Sequence, residues 1–184
     1  MHRDFSLQLH PGFDPNRYYT YPEIGITSNR GDAGYANNLY FNFIQLPNCQ
    51  IQSISCVIAS GFVGNSSIYL SIYNVENNYP KIRLATVNIP INSDGVKEAI
   101  INLNAKSGYY ALSYLASANY IIKSLKAEDT NQAGYFYGLN NPTGALECGL
   151  RFDYQFEEPP EIFNISNFNR SICNRSPMLY LKLK

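Results

Sequence analysis

Residues 67–84 read SIYLSIYNVENNYPKIRL, and this stretch decides the fold class of the chain. In its first half, large aliphatic side chains recur at every second position: Ile68, Leu70 and Ile72. The intervening positions hold Tyr69, Ser71 and Tyr73, which is the period of two typical of a strand with one face in a core. Asn and Pro residues then interrupt the pattern, because Asn tolerates turn geometry and Pro cannot donate to a ladder. The apolar run over residues 84–89 predicts a second strand beyond the turn.

The rest of the chain repeats short alternating runs separated by turn residues, and no window shows a helical stripe. Residues 39–44 and 50–58 both alternate, and Ile51 is expected on the face opposite Ile54. Further strands are predicted over residues 96–103, 109–115, 120–125, 134–139, 146–156 and 178–183. Many short strands at this spacing predict an all-β sandwich or barrel.

Uneven loops at residues 127–133 and 157–176 favour a Greek-key jelly roll over a simple meander. We therefore expect one jelly-roll β-sandwich domain over residues 38–184, preceded by an irregular N-terminal arm at residues 1–37. Turn residues crowd this arm, so it is expected either to add an edge strand plus loops to its own domain or to reach a neighbour. It also carries apolar side chains that need a surface to cover: Phe5, Leu7, Leu9 and Phe13.

Charge and hydropathy exclude several classes of partner. Lys plus Arg and Asp plus Glu number 14 each, so the sequence lacks the basic surplus of a nucleic-acid-binding domain. The same balance argues against anionic membranes, and no run approaches the ~20 apolar residues of a membrane span. The first residues do not resemble a signal peptide, which predicts folding in a cytoplasm.

Cys49, Cys56, Cys148 and Cys173 are scattered without a Cys-x-x-Cys spacing. In a reducing compartment such residues are usually small buried hydrophobes, so we expect a fold that is stable without a disulfide. A structural disulfide and, less favoured, a metal site are the alternatives.

The most acidic stretch, residues 151–161, is the best place to look for catalytic carboxylates. Its Glu-Glu-Pro-Pro core predicts a strand that runs out into an exposed extended loop, and both histidines lie far away in the arm. Residues 92–95 resemble an oxygen-rich turn but lack the repeated acids of a calcium loop. We therefore predict no catalytic residue, no metal and no cofactor.

Tyrosines near loop or strand ends are the remaining candidates for ligand binding: Tyr73, Tyr79, Tyr135 and Tyr137. Their rings could stack on sugars or on protein partners, while nearby Asn and Asp side chains bind hydroxyl groups. The alternative is that these rings fill the sandwich core or seal subunit interfaces.

Along this stretch a strand ends in Ser71-Ile72-Tyr73, an Asn-rich loop and a Tyr79-Pro80 step follow, and a strand begins with Leu84-Ala85. This order of features resembles a jelly-roll module of tailed-bacteriophage tail and fibre proteins. Ser71 stands where that family prefers Gly, and Lys81 follows the Pro where Gly is usual. Further segments match the family in order: residues 17–19, 40–47, 51–54, 95–98 and 108–112.

The resemblance implies a non-enzymatic structural protein of a virion, assembled in the cytoplasm of a host bacterium. A tail or fibre module that contacts host surface polysaccharide or neighbouring virion proteins is the first expectation. A capsid-decorating or head-fibre protein is an alternative, and a polysaccharide-active enzyme is a second one. A homo-oligomer is expected because virion appendages are symmetric, and family analogy favours a trimer.

Overall fold

The computed structural model describes residues 13–20, 31–61, 64–126, 148–171, 173 and 175–184. The strand predicted over residues 134–139 lies outside these residues, as do Tyr135 and Tyr137. In the described part the chain folds into strands, with a single 3-10 turn at Ile165–Asn167. The prediction of an all-β sandwich is confirmed.

Two antiparallel sheets form the sandwich. Sheet I contains β1 (Gly31–Gly34), β3 (Cys49–Ser60), β6 (Gly95–Ala105), β8 (Tyr120–Lys126), β11 (Arg175–Pro177) and β12 (Tyr180–Leu183). Sheet II contains β2 (Asn38–Leu46), β4 (Ser66–Glu76), β5 (Tyr79–Ile91), β7 (Gly108–Ala116), β9 (Leu150–Asp153) and β10 (Arg170–Ser171).

The first eight strands pair in a nested order. Sheet I joins β1 to β8 and β3 to β6, whereas sheet II joins β2 to β7 and β4 to β5. Two further pairings, β3 with β8 and β4 with β7, connect these pairs within each sheet. Successive nested pairs therefore alternate between the two sheets, and most loops cross from one layer to the other.

The period of two in β4 sorts its side chains as predicted. Ile68, Leu70 and Ile72 are fully buried in the core between the sheets. Tyr69 and Tyr73 lie on the opposite face, in a second apolar cluster. Both faces of sheet II are therefore covered, which alternation alone does not reveal.

The expected placement of Ile51 is wrong. The pairing of β3 with β6 shifts register between Ile51 and Ser53, which marks a bulge. The bulge reverses the alternation, so Ile51 and Ile54 are both fully buried in the core between the sheets.

The described part of the N-terminal arm packs on its own domain. β1 pairs with β8, and Tyr19 forms an antiparallel bridge with Leu181 of β12. The Tyr18 hydroxyl donates a hydrogen bond of 2.7 Å to Oε2 of Glu98. Of the two outcomes expected for the arm, these residues follow the first, an edge strand plus loops. The part of the arm at residues 1–12 and 21–30 lies outside the described residues.

Candidate functional site

The outer face of sheet II, which points away from sheet I, carries a cluster of large side chains that we call the outer cluster. Aromatic residues dominate it, and ring centroids of Phe41 and Tyr73 lie 5.3 Å apart in an edge-on arrangement. Its fully or almost fully buried members are Leu39, Phe41, Phe43, Tyr73, Ala111, Leu115, Leu150, Phe152 and Phe163. A sandwich face of this kind needs a cover, because exposed aromatic area of this size would be costly in water.

Residues 154–168, which we call the strap, supply that cover. They leave the end of β9, cross to the far edge of sheet II and lead back to β10. At that edge the Arg83 N–H donates to the Glu161 carbonyl at 2.8 Å, and the Phe163 N–H donates to the Lys81 carbonyl at 2.7 Å. The strap therefore pairs with the edge of β5 over a short length.

Phe163 anchors the strap in the outer cluster. Its side chain is 1% exposed, and its ring lies 4.9 Å from Phe41 and 5.0 Å from Phe152, centroid to centroid. Phe168 stacks on it at 4.7 Å with the ring planes 7° apart. Ile162, next to this anchor, points to solvent and is 63% exposed.

Polar contacts secure the first half of the strap. Nη2 of Arg83 lies 2.6 Å from Oε1 of Glu158, and Nη1 donates to the Pro159 carbonyl. The Tyr73 hydroxyl donates to the Pro160 carbonyl at 2.7 Å. The acidic stretch considered for catalysis thus contributes backbone carbonyls and one ion pair that hold the strap in place.

Tyr73 is the first of the four tyrosines proposed for ligand binding, and its side chain is 0% exposed. Burial raises the pKa of its phenol well above the ordinary value. Its ring belongs to the outer cluster and its hydroxyl to the strap, so it leaves no surface for a ligand. Tyr135 and Tyr137 lie outside the described residues.

Tyr79 has a different setting, because it lines a surface cavity of about 280 Å³ between the β4–β5 hairpin and the strap. Its half-buried ring packs on the edge of the outer cluster. The cavity wall consists of Glu76, Asn77, Tyr79, Pro80 and Lys81 from the hairpin and Phe163, Asn164 and Ile165 from the strap.

The hairpin side of the cavity is shaped by its turn. Asn77 and Asn78 both have positive φ, 51° and 67°, which is the backbone of a type I′ turn. Asn accepts this conformation more readily than most residues, and the two-residue loop sets Glu76 opposite Tyr79. The turn therefore projects Glu76 and Asn77 at the rim.

The strap side is shaped by a cap. Oδ1 of Asn164 accepts hydrogen bonds from the N–H of Ser166 at 3.2 Å and from its hydroxyl at 2.8 Å. This cap starts the 3-10 turn that carries Ile165 to the cavity wall. Sequence reasoning missed Asn164 and Ile165, although an Asn two residues before a Ser is a recognisable capping signal.

The cavity combines an aromatic ring and an apolar floor with amide, carboxylate and ammonium groups at its rim. Such a wall can hold a small ring that is apolar on one face and polar at its edge. Among the described residues, no group of three or more His, Cys, Asp or Glu side chains could hold a metal ion.

Compared with known proteins, the chain matches no family model and no curated protein. None of the helical structure in the described residues is long and apolar enough to cross a membrane.

Proposed function

We propose that this chain is a non-enzymatic structural module of a tailed-phage virion, of the tail or fibre type, built as a jelly roll. The observation that carries the proposal is the nested pairing of β1 with β8, β2 with β7, β3 with β6 and β4 with β5. A long antiparallel hairpin that rolls up into two Greek keys has four nested strand pairs that alternate between two sheets. This jelly-roll architecture is common in viral capsid and lectin domains.

We further propose that the cavity beside Tyr79 contacts surface polysaccharide of the host. A pyranose ring has an apolar C–H face that can stack on the tyrosine ring. Its hydroxyl groups can hydrogen-bond with the amides of Asn77 and Asn164 and with the charged groups of Glu76 and Lys81. The volume of about 280 Å³ suits a short piece of glycan, such as one or two sugar units.

Contacts with neighbouring virion proteins or with further copies of the chain are the second part of the proposal. β6 is an edge strand of sheet I, and edge strands present backbone groups to a partner, whereas the edge of β5 in sheet II is already paired with the strap at Lys81 and Arg83. Exposed aliphatic side chains lie on both strands: Ile82 is 41%, Leu84 is 40%, Val96 is 55% and Ile100 is 74% exposed. A closed homo-oligomer, with a trimer favoured by the family resemblance, would cover such groups.

Immuno-electron microscopy of the phage particles tests the virion assignment. An antibody against the purified chain should label the particles at the tail or fibre. Labelling confined to the capsid surface would favour a decorating protein instead, and unlabelled particles would contradict both assignments.

Binding to purified host polysaccharide tests the cavity. Replacing Tyr79 by Ala should weaken binding by about 2- to 13-fold, because loss of a stacked aromatic ring removes about 0.5–1.5 kcal/mol. Tyr109→Ala is the matched control, since Tyr109 is 38% exposed and does not line the cavity. Equal effects of the two substitutions would contradict the cavity assignment, and release of reducing sugar by the wild-type protein would contradict the non-enzymatic one.

A further inference from the structure

Cys148 and Cys173 lie side by side in the core between the sheets. Both side chains are 0% exposed, and neither forms a disulfide. The Cys148 N–H donates to the Cys173 carbonyl at 2.9 Å. Sγ of Cys148 lies 3.2 Å from the same carbonyl oxygen.

These contacts place the Cys148 sulfur against the backbone of Cys173. Sγ of Cys148 also contacts the Leu125 carbonyl at 3.7 Å, and Sγ of Cys173 contacts the Arg175 carbonyl at 3.2 Å, so both thiols must turn from these carbonyls to form a bridge. Both side chains point into the same core cluster. Rotation of the two side chains, with small backbone adjustment, can therefore bring the sulfurs into bonding distance.

The other two cysteines are too far apart to form a disulfide with each other. Cys49 and Cys56 both lie on β3, where the rise per residue separates them by about 23 Å. Burial raises the pKa of the Cys56 thiol to about 12, and Cys148 and Cys173 are buried as completely, so local opening must precede thiolate formation at any of the three.

We propose that Cys148 and Cys173 form a redox pair that closes a disulfide when the chain folds or opens locally in the presence of a small-molecule disulfide. One thiol loses its proton and attacks a sulfur of oxidised glutathione, which forms a mixed disulfide and releases one glutathione. The second thiolate then attacks the protein sulfur and releases the second glutathione. Two protein thiols are oxidised, and one glutathione disulfide is reduced to two thiols.

The bridge would act on the strap. The segment between the two cysteines, residues 149–172, contains β9, the strap and β10. A disulfide would close this segment into a covalent loop and restrict it in the unfolded chain. For a loop of this length in a domain of this size, the thermal midpoint should rise by about 5–15 °C.

The test is refolding of the full chain in defined ratios of oxidised to reduced glutathione, with a strong dithiol reductant in parallel. Oxidised samples should retain two of the four free thiols, lose the mass of two hydrogens and yield one peptide that joins Cys148 to Cys173. Their thermal midpoint should rise by the stated amount, and reductant added after denaturation should reverse the change.

Matched variants assign the effect. Cys148→Ala and Cys173→Ala should abolish the oxidative shift, whereas Cys56→Ala, also at a fully buried site, should keep it. Four free thiols at every glutathione ratio, or a mapped bridge to Cys49 or Cys56, would overturn the proposal. If an alanine variant does not fold, the thiol count and peptide map of the wild-type chain still decide the question.

Discussion

Replacing Phe163 by Ala should detach the strap from the outer cluster and destabilise the whole domain. The ring is 1% exposed and contacts three other aromatic rings, Phe41, Phe152 and Phe168, at centroid distances of 4.7–5.0 Å. Truncation of a buried Phe to Ala typically costs about 3–5 kcal/mol of the free energy of unfolding. In a domain of this size that corresponds to a fall in the thermal midpoint of about 6–20 °C.

The neighbouring residue provides the control. Ile162 lies on the same strap but is 63% exposed, so Ile162→Ala should change the free energy of unfolding by no more than about 0.5 kcal/mol. Urea unfolding followed by circular dichroism compares the two variants with the wild-type chain. Phe163→Leu should recover part of the loss, because it refills some of the cavity.

Limited proteolysis adds a local measurement. If the anchor holds the strap, Phe163→Ala should be cut within residues 154–168 at urea concentrations where the sheets remain folded. Midpoints of Phe163→Ala and Ile162→Ala that agree within error would refute the anchoring role.

Two further predictions concern other parts of the domain. Burial by itself raises the pKa of Glu98, but hydrogen bonds from Ser53, Tyr18 and Lys182 lower it below the ordinary value. The ionised Glu98 side chain therefore stabilises the fold above the pKa that this residue has in the unfolded chain. That stabilisation is lost as the pH falls through its lower pKa in the folded chain. Glu98→Gln should cost up to about 1 kcal/mol at pH 7, because the site is partly exposed, and progressively less as the pH falls below the ordinary pKa of a glutamate; a difference in midpoint that does not change with pH would contradict this. Gly149→Ala should cost about 1–3 kcal/mol, because its Cβ would lie 2.6 Å from the Phe41 carbonyl oxygen. Gly108→Ala, with nothing within 4 Å of the new Cβ, should be nearly neutral, and equal melting temperatures of the two variants would show that the close approach carries no cost.

Local pattern predicted much of this fold because strand alternation is a property of neighbouring residues. Ile68, Leu70 and Ile72 had to share a face of any strand that contained them. The Asn and Pro residues of 74–80 predicted a turn for the same reason, but the strands run to Glu76 and from Tyr79, so only Asn77 and Asn78 form it. The bulge near Ile51 was not predicted, because it depends on the pairing of β3 with β6 and β12.

The strap had no such local signal. The sequence predicts a strand as far as residue 156, whereas β9 ends at Asp153, and the prolines within residues 157–168 indicate an exposed loop. What holds them is contact with residues far away in the chain, such as Phe163 with Phe41 and the Tyr73 hydroxyl with Pro160. The pairing of Cys148 with Cys173 is of the same kind, because the spacing of cysteines does not determine which of them meet.

The sequence by itself determined that Tyr69 and Tyr73 lie on the face of β4 opposite Ile68, Leu70 and Ile72, and that Phe41 and Phe43 share one face of β2, the outer one. Only the tertiary structure decided what that outer face contacts. The strap covers it, so Tyr73 is a buried packing residue, whereas Tyr79 stands where the hairpin and the strap leave a cavity. The physical reason is that alternation assigns a side chain to a face, while burial of that face depends on which distant segment packs against it.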